Sequence, residues 1–203
     1  MKSKRIKIAI QKKGRLNKPS NEFLASLGLN FPADDKKLTL ACKNAPINLV
    51  KVRDDDIPKY VGGGAVDFGI VGLDVVEESQ EKVTVVKRLG FAKCKMVIAI
   101  PRISKLKTIS ALEGKKIATS YPNILRAFLK KNKIRSTIVV VQGSVELAPY
   151  LKTADAVCDI TQTGKTLREF DLIPIRTILR SEAILIGNPI KKGVKYNFTQ
   201  KIS

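Results

Sequence analysis

Short β-type runs alternate with helix-type runs along nearly the whole chain, and this alternation constrains the fold more than any other feature. Ile6, Ile8 and Ile10 stand at every second position, so residues 6–10 read as a strand. Residues 19–27 read as a short helix that Gly28 can stop. Residues 47–53, 66–71, 83–89 and 95–100 are further strand-like runs. A helix follows Asp54, its cap, and carries Ile57, Tyr60 and Val61 on one side; residues 73–79 form another. The second half repeats this grammar. Strands are predicted at 116–120, 137–142, 156–160, 175–179 and 183–186. Helices are predicted at 124–131, at 145–151 behind a Ser144 cap, and at 167–170. Such alternation predicts an α/β fold with mostly parallel sheets. No linker rich in Pro, Gly or Ser divides the chain, so two lobes would be joined by ordinary strands near 89–95 and near Pro174.

Composition narrows the function. With 44% hydrophobic residues in 203, the chain can fill a core. It contains no His, which excludes a Ser-His-Asp triad, a Cys-His pair and a His-rich metal site. Cys42, Cys94 and Cys158 are widely spaced and read as reduced core thiols. The basic start resembles a signal-peptide n-region, but its apolar stretch ends at Gln11-Lys12-Lys13, too short for export. No apolar run reaches the roughly 18 residues a membrane span needs. A cytoplasmic protein without a membrane partner is expected. The 38 Lys and Arg against 18 Asp and Glu give +20, which directs the search to anionic partners. Basic residues crowd both ends, with Lys191, Lys192, Lys195 and Lys201 at the second. Only 5% of residues are aromatic and no reader motif is present, so no specific nucleic acid is expected.

Three stretches carry chemistry. In Asp159-Ile160-Thr161-Gln162-Thr163-Gly164-Lys165-Thr166-Leu167 a strand ends, a glycine permits a tight turn and a helix begins. Backbone N–H groups there, with the Thr161, Thr163 and Thr166 hydroxyls, can surround a phosphate. Asp159 is placed for sugar hydroxyls or for a metal carried by the ligand. A Walker A loop matches only in Gly164-Lys165-Thr166, because Asp159 stands where that loop needs glycine. The same pattern also describes a capped helix with no ligand. The second stretch is Gly14-Arg15-Leu16, at the carboxyl end of the first strand, where open α/β sheets bind ligands. Arg15 offers a planar fork for phosphate oxygens, or is one more surface arginine. The third is Arg53-Asp54-Asp55-Asp56-Ile57-Pro58, whose acids suit a first helical turn and leave Arg53 as the ligand-facing member. Glycines at 62–64, 69 and 72 either admit a ligand or make turns. Glu146, in Gly143-Ser144-Val145-Glu146, either faces a sugar or caps its helix.

Taken in order, these blocks resemble one family. They are Ile8-Ala9-Ile10-Gln11-Lys12-Lys13-Gly14-Arg15-Leu16, Val52-Arg53-Asp54-Asp55-Asp56-Ile57-Pro58, Val66-Asp67-Phe68-Gly69-Ile70-Val71-Gly72, Ala118-Thr119-Ser120-Tyr121-Pro122-Asn123, Gly143-Ser144-Val145-Glu146-Leu147-Ala148-Pro149 and the 159–167 loop. The set resembles the ATP phosphoribosyltransferases, which open histidine biosynthesis. The resemblance implies two α/β lobes like those of type II periplasmic binding proteins, with the active site in the inter-lobe cleft. The lobes would be 1–92 with 175–203, and 93–174. It implies that N1 of ATP attacks C1 of 5-phosphoribosyl 1-diphosphate and expels pyrophosphate, with substrate-bound Mg²⁺. A ring nitrogen needs no deprotonation, so a chain without His suits this chemistry.

By the same resemblance, Thr161, Gln162, Thr163, Gly164, Lys165 and Thr166 hold the 5′-phosphate, and Glu146 and Asp159 approach the ribose hydroxyls. Arg15 and Arg53 are the catalytic pair against the leaving diphosphate. Lys13, Gly14, Gly72 and Tyr121 lie on the ATP or pyrophosphate side, and no residue is assigned as a direct metal ligand. A homo-oligomer is implied, and for short-form members a regulatory subunit resembling histidyl-tRNA synthetase. The histidine-binding C-terminal domain of long-form members is not expected, which leaves a short form or a truncated long form. Two departures stand out: Lys152-Thr153 precede Ala154-Asp155 where relatives commonly have a glycine, and Ser120 stands where many have Lys. The competing reading is a two-lobed anion-binding module without catalysis.

Overall fold

The computed structural model describes residues 5–34 and 36–189; the basic positions at 191–201 lie outside the described residues. Two compact units form. One runs to Ala92 and takes the chain back from Glu182; the other is Lys93–Ser181.

The first unit is built on β1 (Ile6–Gln11), α1 (Asn17–Ser26), β2 (Thr39–Ala41), β3 (Ile47–Val52), α2 (Ile57–Gly62), β4 (Phe68–Gly72), α3 (Leu73–Ser79) and β5 (Thr84–Arg88). In the second unit the chain forms β6 (Cys94–Pro101), β7 (Lys116–Thr119), α4 (Pro122–Lys131), β8 (Thr137–Val140), α5 (Leu147–Tyr150), β9 (Ala156–Thr161), α6 (Lys165–Glu169) and β10 (Leu172–Ser181). It then returns to the first as β11 (Ala183–Gly187).

The first sheet has the order β2-β3-β1-β4-β11-β5. Strand alternation sends Ile8 and Ile10 to one face, against Leu24 and Leu49, and Ala9 to the other, against Ile57 and Val61. All three β1 residues are fully buried, as a strand covered on both faces requires. Burying an isoleucine in this way contributes about 1.5–3 kcal/mol. The second sheet, β10-β6-β9-β7-β8, repeats the device. Met96, Ile98 and Ile100 of β6 meet Leu125 and Leu129 of α4, while Val97 and Ala99 meet Val145, Ala148 and Leu167.

Mostly parallel sheets are not what forms. β1 pairs in parallel with β3 and β4, and β7 with β8 and β9. The pairs β2/β3, β4/β11, β11/β5, β6/β9 and β10/β6 are antiparallel, so both sheets are mixed. Strand spacing in sequence marks which runs are strands; the direction of pairing depends on where each connection returns. The second crossing also differs. Residues 175–179, expected in the first lobe, belong to β10, which pairs with β6 in the second unit, and the chain recrosses after Ser181. Pro174 stays in the ladder because β10 is an edge strand with register shifts beside that residue.

Candidate active site

The carboxyl ends of β1, β3 and β4 lie on one side of the first sheet because these strands run parallel. Lys13, Gly14 and Arg15 follow β1, Arg53 follows β3, and Gly72 ends β4. The residues assigned to the ATP and pyrophosphate side on this unit are therefore gathered at one sheet edge. Gly14 turns with φ +121°, a conformation that only glycine enters freely. The Gln11 side chain lies beneath it: a Cβ at 14 would stand 2.7 Å from Gln11 Nε2.

Arg15 is not an open fork. Its Nη2 donates to both carboxylate oxygens of Asp74, at 2.9 and 3.0 Å, and its Nη1 donates to the Ala92 carbonyl at 2.9 Å. The Asp74 side chain is 1% exposed and that of Arg15 23%. Gly72 makes the pair possible, since a Cβ there would overlap Asp74 Oδ1. Arg53 contrasts with this. Its side chain is 81% exposed and its ion contact, with Asp55, is a loose 3.9 Å.

Asp54 does not cap α2 as expected. Asp54, Asp55 and Asp56 form a 3-10 turn ahead of α2, with no side-chain cap. The Asp54 carboxylate instead accepts from Gln11 Nε2 at 2.8 Å. Burial holds this carboxyl above its ordinary range, with the charges of Asp55 and Asp74 adding to the effect. Of the three residues expected on one side of α2, Ile57 and Val61 are buried and Tyr60 is 42% exposed.

In the second sheet β7, β8 and β9 run parallel, so Tyr121, Glu146, Asp159 and the 161–166 loop also share one edge. The Asp159 carboxyl is pushed up to about 6, chiefly by burial and also by the charge of Glu146, against the pull of the Ile160 N–H. That N–H donates to Asp159 Oδ1 at 2.7 Å. Asp159 on β9 and Glu146 ahead of α5 thus feel each other.

The loop itself is self-bonded. Thr161 Oγ1 accepts the Gly164 N–H at 2.9 Å, Thr163 Oγ1 accepts the Lys165 N–H at 3.3 Å, and Arg168 Nη1 donates to the Thr163 carbonyl at 3.1 Å. Gly164 has φ +73°. Gln162, Thr163, Lys165 and Thr166 are exposed. Tyr121 is half-buried against the core at the start of α4, and its N–H donates to Thr119 Oγ1 at 2.9 Å.

Ser144 caps no helix: its φ is +45°, and α5 begins only at Leu147. The departure at Ser120 has a clear local role. Its hydroxyl donates to the Val141 carbonyl at 2.8 Å and accepts the Gly143 N–H at 3.2 Å, tying β7 to the loop that leads to Glu146.

Gln11, Asp74 and Arg168 were not singled out from the sequence. Gln11 and Arg168 follow no motif rule, and Asp74 lies in the first turn of α3, where an acid is ordinary. Among the described residues no group of three or more Cys, Asp and Glu is placed to hold a metal. No helix there is long and apolar enough to cross a membrane. Cys42, Cys94 and Cys158 are buried and form no disulfide among the described residues.

Two sheet-and-helix units of this kind define a class. The fold is shared with solute-binding proteins: the chain superposes on an alkanesulfonate-binding protein from Xanthomonas axonopodis pv. citri with a TM-score of 0.60 at 14% identity, covering 100% of this chain and 71% of that one. At such identity the likeness speaks for fold alone. Residues 53–203 match the family described as HisG: ATP phosphoribosyltransferase, and the chain belongs to that family. It is 43% identical over 188 residues to an ATP phosphoribosyltransferase of Maricaulis maris, covering 90% of this chain and 64% of the relative. A similar match, 43% over 183 residues, is to the ATP phosphoribosyltransferase of Phocaeicola vulgatus, of which the chain spans 65%. The chain thus spans a little under two thirds of the length of these relatives. A solved structure titled ATP phosphoribosyl transferase (HisG:HisZ) complex, from Thermotoga maritima, superposes with a TM-score of 0.83 at 30% identity, covering 97% of this chain and 96% of that one.

Proposed function

We propose that this chain joins N1 of ATP to C1 of 5-phosphoribosyl 1-diphosphate and releases pyrophosphate, the first step of L-histidine biosynthesis. The observation that carries this reading is the 159–166 segment. Strand β9, buried in its first half, carries Asp159 near its end, close to Glu146, and opens into a threonine-rich turn at Gly164. That is the equipment for a phosphorylated pentose: hydroxyls and amides for the 5′-phosphate, carboxylates for the ribose hydroxyls. Lys165 supplies positive charge.

The adenine nitrogen brings its own lone pair, so the protein's part is alignment and charge management. Arg53, exposed and loosely paired, meets the diphosphate as charge builds on it. Arg15, clamped by Asp74, contributes fixed positive charge near the ends of the same strands. Lys13, Gly14, Gly72 and Tyr121 line the ATP or pyrophosphate side. Mg²⁺ fits as a substrate-borne ion: the diphosphate oxygens would hold it, and Asp159, the carboxylate placed for ribose hydroxyls or a ligand-borne metal, would stand beside it. When bound, it neutralises charge on the diphosphate.

The active form is proposed to be an oligomer in the cytoplasm with a regulatory subunit resembling histidyl-tRNA synthetase. The test is ultraviolet detection of phosphoribosyl-ATP from the chain alone and then with such a subunit. Product in either tube supports the reading. Binding of both substrates without product in either tube would leave an anion-binding module.

A further inference from the structure

Gln11 sits where two loops must be held at a fixed spacing, and it is 7% exposed. The backbone ladder between β1 and β3 runs out at the bond from the Lys12 N–H to the Val52 carbonyl, 2.7 Å. Past that point one chain enters the turn at 14–16 and the other enters the segment that begins with Arg53. The Gln11 amide spans the gap. Its Oε1 accepts the Leu16 N–H at 2.9 Å, and its Nε2 donates to Asp54 Oδ2 at 2.8 Å. Its main-chain carbonyl accepts from Asn17 Nδ2 at 2.7 Å, which ties the start of α1 to the same point. Gly14 closes over the amide, leaving no space there for a Cβ.

We propose that Gln11, through Asp54, is a positioning residue that sets the Arg53 segment against the Arg15 turn. The inference rests on the reading above that Arg53 meets the diphosphate. The residue type suits the task. A neutral amide can accept from one backbone group and donate to a carboxylate at the same time; glutamate would set a second charge against Asp54, and an apolar side chain would leave the buried Leu16 N–H and the half-buried Asp54 carboxylate without this partner. Arg53 needs such help, because its own side chain is exposed and its ion contact among the described residues, with Asp55, is a loose 3.9 Å. Its placement comes from its backbone, and displacements of about 1 Å matter to a group that stabilises developing charge.

Two readouts test this: kcat for phosphoribosyl-ATP formation, and pyrophosphate affinity by calorimetry, which needs no turnover. Gln11→Met keeps the volume and removes both amide bonds. It is expected to lower kcat about tenfold or more and pyrophosphate affinity about fivefold, measured well below the variant's melting temperature. In an Arg53→Ala background the same substitution is expected to change either quantity less than about twofold. Asp54→Ala is expected to copy Gln11→Met, whereas Asp54→Asn, which keeps an acceptor, retains a third or more of the wild-type value. A purely structural role would lower the melting temperature without this coupling or this rescue.

Wild-type values in Gln11→Met, full additivity with Arg53→Ala, or equal losses in Asp54→Ala and Asp54→Asn would overturn the inference; if Gln11→Met does not fold, the Asp54 pair decides it. A wild-type chain that binds no pyrophosphate overturns it too. A wild-type chain that gives no phosphoribosyl-ATP but shows coupled pyrophosphate binding overturns the functional reading and leaves this inference standing.

Discussion

One Arg15 nitrogen, Nη2, reaches both oxygens of the Asp74 carboxylate, and Asp74 is sealed from solvent. A carboxylate buried this deeply is tolerable only with a partner, so Asp74 has need of Arg15 whatever Arg15 does for a ligand. Asp74→Asn leaves the Arg15 guanidinium without its counter-charge and is expected to lower stability by about 2–4 kcal/mol, below the range for fully buried pairs because Arg15 is partly exposed. Urea unfolding checks this, and a loss under about 1 kcal/mol would show that the pair contributes little.

Arg53→Ala should leave the fold intact, because the side chain is 81% exposed. Turnover should fall by the equivalent of about 2–4 kcal/mol, as for loss of one preorganised donor. Near wild-type turnover would remove Arg53 from the proposed role.

Asp159 gives a pH signature. Its carboxyl titrates at about 6 in the folded chain, against an ordinary value of 3.8. Between these values the folded state holds a proton that the unfolded chain has released, so its contribution to stability declines as pH rises from about 4 to about 6. Asp159→Asn should abolish that decline. The variant should match wild type near pH 3.5 and exceed it by about 1–3 kcal/mol at pH 8. Melting curves across this range suffice, and parallel pH profiles for the two proteins would refute the account.

Gly164 turns with φ +73° at the head of α6, where a β-branched residue is strained. Gly164→Val is expected to weaken phosphoribosyl pyrophosphate binding tenfold or more by distorting the Thr161–Gly164 bond. Calorimetry showing unchanged affinity would dissociate the turn from the sugar phosphate.

Lys152 adopts φ +57°, in the left-handed region, in the segment where the family resemblance leads one to look for glycine. A non-glycine residue there costs about 1–2 kcal/mol, partly offset by the extra freedom glycine gives the unfolded chain. Lys152→Gly should raise stability by about 0.5–1 kcal/mol. A lower melting temperature would show that the lysine compensates elsewhere.

The parts of the fold legible in advance were those with dense local signals. β1 and β3 were found within a residue at each end, and α3 at its full extent, because buried strands are thick with β-branched residues and Leu73 follows a glycine. β2, three residues long, and the 3-10 turn at 54–56 went unread because neither is long enough for a period to show. The helix caps assigned to Asp54 and Ser144 failed for a different reason. A cap is a claim about one hydrogen bond, and a nearby Gln11 or a left-handed backbone can redirect it.

By itself, the residue order determined which segments would be buried strands, where glycine turns follow them, and which polyanion chemistry those turns suit, because periodicity, turn propensity and charge are local properties. Only the tertiary structure decided that Arg15 is held by Asp74, that Gln11 links two loops, and that Glu146 raises the proton affinity of Asp159. Each of those joins residues on different elements, brought together when parallel strands bring their carboxyl ends to one edge, and sequence spacing carries no record of it.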